Sequence, residues 1–277
     1  MITAFDDPRL GLARLAVGAV TVLPDPALPA RILHLADSQG TDYYAKQHQH
    51  PARFVQELRA YQLWTRHLAA ATPRLIAHHE QTLTLLISAV PGLRGDTLAP
   101  GSDAEGQAYR DAGAALRALH DATATPAHQD LGRKVASRLR HWADRAHQAA
   151  LTTPAARAYL LAAAHDLADA ALQGAVCHLD YQPRNWCAGT DFAVLDFEHM
   201  RPDARLRDLA RLQHRIWPSA PHLEAAFHEG YGRPTEQDFD ILRGLGAYEA
   251  ATALVRGHEC GDAELTGHGR TLLDQLM

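Results

Sequence analysis

The densest chemistry in the chain lies between Cys177 and Glu198, CHLDYQPRNWCAGTDFAVLDFE. Asp180, Asn185 and Asp196 offer two carboxylates and a carboxamide there. Ala175 to Cys177 reads as the end of a short strand. Tyr181 to Arg184 reads as a loop fixed by Pro183, which locks its own φ and keeps Gln182 out of the helical region. Gly189-Thr190-Asp191 is a turn signal, and Phe192 to Leu195 is a second short apolar strand. This hairpin-like pattern predicts that Asp180, Asn185 and Asp196 gather at one end of two neighbouring strands. A few hard oxygen ligands, with room left for water and phosphate, suit Mg²⁺. Taken alone, the stretch also reads as two ordinary strands with acids at their ends, so the elements around it have to discriminate.

The first half of the chain supplies the discriminating elements. Ala19–Leu23, Ala30–Ala36, Asp42–Gln47, Pro73–His78 and Leu83–Val90 alternate or run apolar between turn signals and predict a small antiparallel sheet. Residues 1–14 read as a lead-in segment. Pro51 is a suitable first helical residue, and a helix is expected to about Ala70. Phe54, Glu57, Tyr61, Trp64 and Leu68 recur at steps of three and four, on one helix face. A carboxylate on an otherwise apolar stripe calls for a cationic partner. Lys46, near the end of the preceding strand, is the nearest candidate; the alternative is a Glu57 at the stripe's edge, facing water. Pro91-Gly92 then breaks the chain.

The remainder is expected to be mainly helical. Ser102-Asp103-Ala104-Glu105 is a capping-box signature opening a helix to about His120. Val135, Leu139, Trp142 and Ala146 mark a second amphipathic helix, and Thr153-Pro154 starts a third running to about Leu172. A helix begins near Arg207, and the last helices are expected over roughly 219–230, 235–259 and 263–276, punctuated by Pro234 and Gly261.

The pattern His-x-Asp-x-x-x-x-Asn followed by Asp-Phe-x belongs to kinase-type phosphoryl transfer. Here the chain resembles the aminoglycoside phosphotransferase and choline-kinase-like family, whose usual wording is His-Gly-Asp-x-x-Pro-x-Asn and then Ile-Asp-Trp/Phe-Glu/Asp. The matching residues are His178-Leu179-Asp180-Tyr181-Gln182-Pro183-Arg184-Asn185 and Leu195-Asp196-Phe197-Glu198. The resemblance implies an α+β, two-lobed protein-kinase-like fold. Residues 1–90 would form the nucleotide-binding lobe, a small antiparallel sheet with one helix that ends in the hinge. Residues 91–277 would form a larger, mainly helical lobe with the catalytic loop and acceptor pocket.

The same resemblance implies the site. Asp180 would be the catalytic base for the acceptor hydroxyl. Asn185 and Asp196 would hold Mg²⁺, and Lys46, positioned by Glu57, would bind the phosphates of ATP or GTP. Backbone groups of Ser88 and Val90 would take the adenine at the hinge, and His178 and Asp208 would brace the loop. Three departures stand out. Ser88 replaces a common Glu, Leu179 replaces Gly, and the turn Pro24–Pro29 is proline-rich where protein kinases carry a glycine-rich cover. The short span from Asp196 to Asp208 leaves no room for an activation segment, and no Ala-Pro-Glu occurs, so a protein substrate is not expected. The implied reaction moves a γ-phosphoryl to a hydroxyl of a small molecule, first an aminoglycoside or other hydroxylated antibiotic. The alternatives are a metabolic kinase for a small alcohol, sugar or amino alcohol, and a catalytically silent nucleotide-binding protein.

Composition narrows the classes. The 277 residues, 47% hydrophobic and 21% charged, are normal for a globular protein. A net charge of −5 argues against a general nucleic-acid binder. Met1 to Leu10 carries Asp6 and Asp7 and no apolar run, so no secretory signal is expected, and no stretch approaches a membrane span. The scattered Cys177, Cys187 and Cys260 argue against a disulfide framework and for a reducing, cytoplasmic setting. No metal-ligand spacing supports a zinc site at Cys177, His178 and Cys187. Oligomeric state is not encoded in any motif.

Overall fold

The computed structural model describes residues 7–277. The first six residues lie outside them, with the start of the expected lead-in segment and of the Met1–Leu10 stretch from which no secretory signal is expected. In chain order the elements are α1 (Pro8–Val17), β1 (Val20–Leu23), β2 (Ile32–Asp37), β3 (Asp42–Gln47), α2 (Pro51–Leu63), β4 (Leu75–His79), β5 (Thr84–Ser88), β6 (Leu93–Arg94) and α3 (Asp103–Ala122). Then come β7 (Thr125–His128), α4 (Gln129–Gln148), α5 (Pro154–Asp169), β8 (Leu172–Cys177), β9 (Trp186–Ala188), β10 (Ala193–Val194) and β11 (Arg201–Ala204). The chain ends in α6 (Arg207–Arg211), α7 (Pro221–Tyr231), α8 (Glu236–Cys260) and α9 (Ala263–Leu276). They form two compact units, one of residues up to 108 with 183–201, the other of 109–182 with 202–277.

In the first unit, five antiparallel strands pair in the order β1-β2-β3-β5-β4. Strand alternation sends successive residues to opposite faces. Ala45 and Leu86, with Leu35, face α1, where Leu10, Leu12 and Ala13 complete a buried cluster. Leu85 faces the other way and packs with Phe54 and Leu58 of α2. Lys46 pairs with Leu85 across the strands, so it shares the α2 face.

Helix α1 replaces the expected lead-in. Its start is signalled by Asp7, whose side chain accepts the Arg9 amide hydrogen bond at 2.9 Å, and by Pro8 at a position that needs no amide donor. Helix α2 ends at Leu63 rather than near Ala70; a short 3-10 turn, Thr65–His67, follows. The Thr65 hydroxyl donates back to the Tyr61 carbonyl at 3.3 Å, a local competition that favours ending the helix.

The hairpin expectation needs a correction. The strand ending at Cys177 is β8, which pairs in a sheet ordered β11-β8-β7, whereas β10 pairs with β9 and β9 with β6. The partner of the second apolar strand is therefore Trp186–Ala188, reached through the bend at Gly189-Thr190-Asp191. The chain leaves the second unit and enters the first between Gln182 and Pro183.

The second unit is helical around that small sheet. Leu160, Ala164 and Leu167 of α5 are buried, as are Val135, Leu139 and Ala146 of the predicted α4 face; Trp142 of that face is only half-buried, and Ala143 beside it is buried instead. Helix α8 begins with a reciprocal capping box between Thr235 and Asp238 and ends on Gly261 in the left-handed region at φ 68°. Helices α3 and α7 meet at two glycines: a Cβ on Gly113 would lie 2.1 Å from the Phe227 carbonyl oxygen, and one on Gly230 2.1 Å from that of Arg110. At the start of α3, Ser102 caps Glu105 as expected, but the Glu105 carboxylate turns to the Gly101 amide at 2.7 Å. No helix among the described residues is long and apolar enough to cross a membrane.

Candidate active site

Two clusters hold the residues expected to act. In the first unit, the Lys46 ammonium is 4% exposed and lies 2.7 Å from Glu57 Oε2 and 2.6 Å from Asp196 Oδ1. The carboxylate in the apolar stripe has found the predicted lysine, and His48 Nε2 adds a contact at 2.8 Å. Burial works against both charges. On Lys46 it is outweighed by Glu57, Asp196 and Glu198, which raise its pKa above the ordinary lysine range. On Glu57 it is outweighed by Lys46 and His48, which hold its pKa down.

Glu198 is part of this cluster, although no site role was assigned to it from the sequence. Its Oε2 lies 3.1 Å from Lys46 Nζ and 2.7 Å from Arg31 Nη1. His199, Lys46 and Arg31 together hold the Glu198 carboxyl far below the usual carboxylate range against the cost of burial. Arg53 and Gln56 of α2 also donate to the Glu198 carbonyl, at 3.3 and 2.9 Å. The segment after Asp196 is thereby tied to the helix that carries Glu57.

Asn185 closes the 3-10 turn Pro183–Asn185 and is buried. Its carbonyl accepts the Leu195 amide at 2.8 Å, so Asp196 follows directly on a residue bonded to Asn185. Asp196 sits in the left-handed region at φ 61°, a conformation that costs about 1–2 kcal/mol for a residue with a Cβ and recurs at functional sites. Its side chain is one-third exposed. Asp196 and Asn185 supply hard oxygens, the donor type Mg²⁺ prefers, so the residues fit that ion. At the expected hinge, the Ser88 amide donates to the Arg74 carbonyl and the Ser88 hydroxyl accepts the Arg74 amide, both at 2.9 Å. Val90 follows β5, outside the strand.

In the second unit, Asp208 organises the loop. Its Oδ2 accepts the His178 amide at 2.8 Å and its Oδ1 the Leu179 amide at 2.5 Å. His120 Nε2 lies 3.1 Å from Oδ2, and His120 Nδ1 is 2.9 Å from the Tyr231 hydroxyl. The two backbone bonds explain how Leu179 is held at φ 63°, where glycine is the less strained residue. His178 is fully buried, packs edge-on against Tyr181, and accepts the Asp180 amide at 3.3 Å through Nδ1. The Tyr181 hydroxyl donates to the Ala112 carbonyl at 2.7 Å, anchoring the loop to α3.

Asp180 Oδ1 accepts from Gln182 Nε2 at 2.6 Å and from the Arg211 guanidinium. Arg211 was not foreseen. It lies 31 residues away at the end of α6, and no spacing rule couples it to Asp180. Glu249, 3.7 Å from Arg211 Nε, joins the same group. Burial of the guanidinium is outweighed by Glu249 and Asp180, so the Arg211 pKa is raised. Among the cysteines, Cys177 is buried with its thiol on the Ala204 carbonyl at 3.3 Å, and burial pushes its pKa well up. That is a packing role.

Residues 21–245 match the family described as APH, phosphotransferase enzyme family. No curated protein matches by sequence. Among solved structures, the chain is similar to the apoenzyme of macrolide 2'-phosphotransferase MphH from Brachybacterium faecium, at 18% identity and TM-score 0.66 over 97% of each chain. It is similar to the gentamicin–APH(2")-IIa complex at 13% identity and TM-score 0.66, over 99% of this chain and 97% of that one. It is also similar to the GDP complex of aminoglycoside 2'-phosphotransferase-IIIa at 11% identity and TM-score 0.67, over 96% of each. These likenesses carry the α+β, protein-kinase-like fold.

Proposed function

The chain belongs to the phosphotransferase enzyme family, and on that premise we propose that it moves the γ-phosphoryl of ATP or GTP to a hydroxyl of a small molecule. The observation that carries this is the Lys46 ammonium held between Glu57 and Asp196. A buried strand lysine fixed by a helix glutamate is the device that meets nucleotide phosphates in kinase-type enzymes. Residues 1–90 serve the nucleotide, with the chain at Ser88 and Val90 as the hinge, and 91–277 carry the catalytic loop and the acceptor.

Asp180 accepts the proton of the attacking hydroxyl and aims its oxygen at phosphorus. Gln182 and Arg211 hold that carboxylate in place. Asp208, through the amides of His178 and Leu179, fixes the loop on which Asp180 sits. Asn185 and Asp196 would hold Mg²⁺, which when bound spreads the charge developing on phosphate oxygens. Lys46 would neutralise charge on the nucleotide phosphates. Hydroxylated antibiotics are the first acceptors to test, because macrolide and aminoglycoside phosphotransferases share the fold; small alcohols and sugars come second.

The test is incubation with Mg²⁺, ATP or GTP and an acceptor panel read by mass spectrometry. A product heavier by one phosphoryl group is expected. Neither nucleotide stabilising the protein against heat in the presence of Mg²⁺ would count against a nucleotide site altogether.

A further inference from the structure

A pocket of about 100 Å³ lies within the second unit, and Arg211 is both part of its wall and the partner of the Asp180 carboxylate. Its lining is cationic. Arg211, Arg215 and Arg256 face it, with His214 and His268, against the single carboxylate of Glu249. Arg211 is already balanced by Asp180 and Glu249. Arg256 is balanced in part: Glu259 is 3.9 Å away, its other oxygen is taken by Arg145, and the guanidinium rests over the Trp142 ring. The exposed Arg215 side chain makes no hydrogen bond or ion pair among the described residues. His214 and His268 are driven toward their neutral forms by burial, and His268 also by the nearby Arg215.

A wall with surplus positive charge repels an ammonium-rich ligand and attracts an acidic one. We infer that this pocket is an anion-binding subsite for the acceptor, so that among the hydroxylated acceptors proposed above the one phosphorylated also carries a carboxylate or phosphate, held by Arg215 and Arg256, and an ammonium-rich aminoglycoside is disfavoured. The inference rests on Asp180 being the base for the acceptor. Seated there, the acidic group anchors the molecule on the α6–α8–α9 side, and the hydroxyl is presented to Asp180. Guanidinium suits the task because its planar fork meets a carboxylate or phosphate with two hydrogen bonds.

The decisive measurement is calorimetric titration of the full chain with citrate and, separately, with inorganic phosphate, the nucleotide site being filled with a non-hydrolysable ATP analogue and Mg²⁺. Saturable binding is expected, weakened tenfold or more in Arg215→Glu and retained in Arg215→Lys. No binding, or binding indifferent to Arg215→Glu, overturns the subsite. A second experiment compares acceptors on one scaffold, a sugar acid, the neutral sugar and the amino sugar. The acid should be turned over with the highest kcat/KM, and Arg215→Glu should shift the preference toward the amino sugar. A merely structural Arg215 would lower all three alike. Preference for the amino sugar by the wild type defeats the inference while leaving phosphotransfer intact. Failure of the nucleotide analogue to bind instead counts against the nucleotide site, and the response of anion binding to Arg215→Glu still judges the pocket.

Discussion

The two clusters carry opposite imbalances of charge. Around Lys46, three carboxylates (Glu57, Asp196 and Glu198) face the cations Lys46 and Arg31. Around Arg211, three guanidiniums face Asp180 and Glu249. The first group has negative charge to spare, as a site for Mg²⁺ requires, and holds it by burying a lysine among acids. The second has positive charge to spare, on the exposed Arg215 and Arg256. The difference shows how one chain sorts chemistry by unit: a buried network that must stay satisfied, and a more open one that can exchange partners.

The sharpest way to break the comparison is at Asp180. Asp180→Asn keeps the shape and hydrogen bonds but loses the base, and single-turnover rates should fall about 10²–10⁴-fold. Unchanged rates would reduce Asp180 to an anchor for Arg211. Next comes Lys46→Ala, which leaves Glu57, 1% exposed, with His48 alone. Breaking a buried pair costs about 3–5 kcal/mol, readable as a lower midpoint in urea unfolding. A loss below about 1 kcal/mol would mean that Glu57 is not held as an anion by Lys46.

Acid titration probes the same cluster more gently. The folded-state pKa of Glu198 is depressed below its ordinary 4.5. Its stabilising effect is therefore complete above that pH and is lost as the pH falls toward the folded value. Unfolding free energy should drop as solutions are taken below about pH 4.5, and Glu198→Gln should flatten that drop. Equal slopes in the two proteins would assign the acid sensitivity elsewhere. The smallest effect is expected at Leu179→Gly, in the second unit's loop. Relief of the left-handed strain, about 1–2 kcal/mol, is offset by glycine's entropy, about 0.5–1 kcal/mol. A slightly raised Tm is the outcome to look for, and a lowered one would indicate that Leu179 packing outweighs its backbone strain.

Much of the Lys46 cluster was legible in the residues. The pairing with Glu57 followed from helical period and the cost of a lone buried carboxylate. Most strands and helices fell within a few residues of their expected ends, since turn and cap residues mark them. The same logic missed α1, although Asp7-Pro8 is a cap signal, because Leu10, Leu12, Leu15 and Val17 do not recur on one clean helical face. It also joined the wrong strands around Asp180 and Asp196: two short apolar runs flanking a turn do not state which sheet each will enter.

By itself, the sequence determined the chemistry available: which side chains are acids, bases and cations, which lie on a common helix or strand face, and where the chain must turn. Those are local properties, set by periods of two and 3.6 and by proline, glycine and capping side chains. The tertiary structure alone decided that Arg211 meets Asp180, that Asp208 takes both loop amides, that Glu198 bridges Arg31 and Lys46, and that the pocket wall containing Arg211 is basic. Each is a meeting of residues far apart in the chain, and no local period encodes such a meeting; it follows from how buried faces pack and from which charges must be paired once water is excluded.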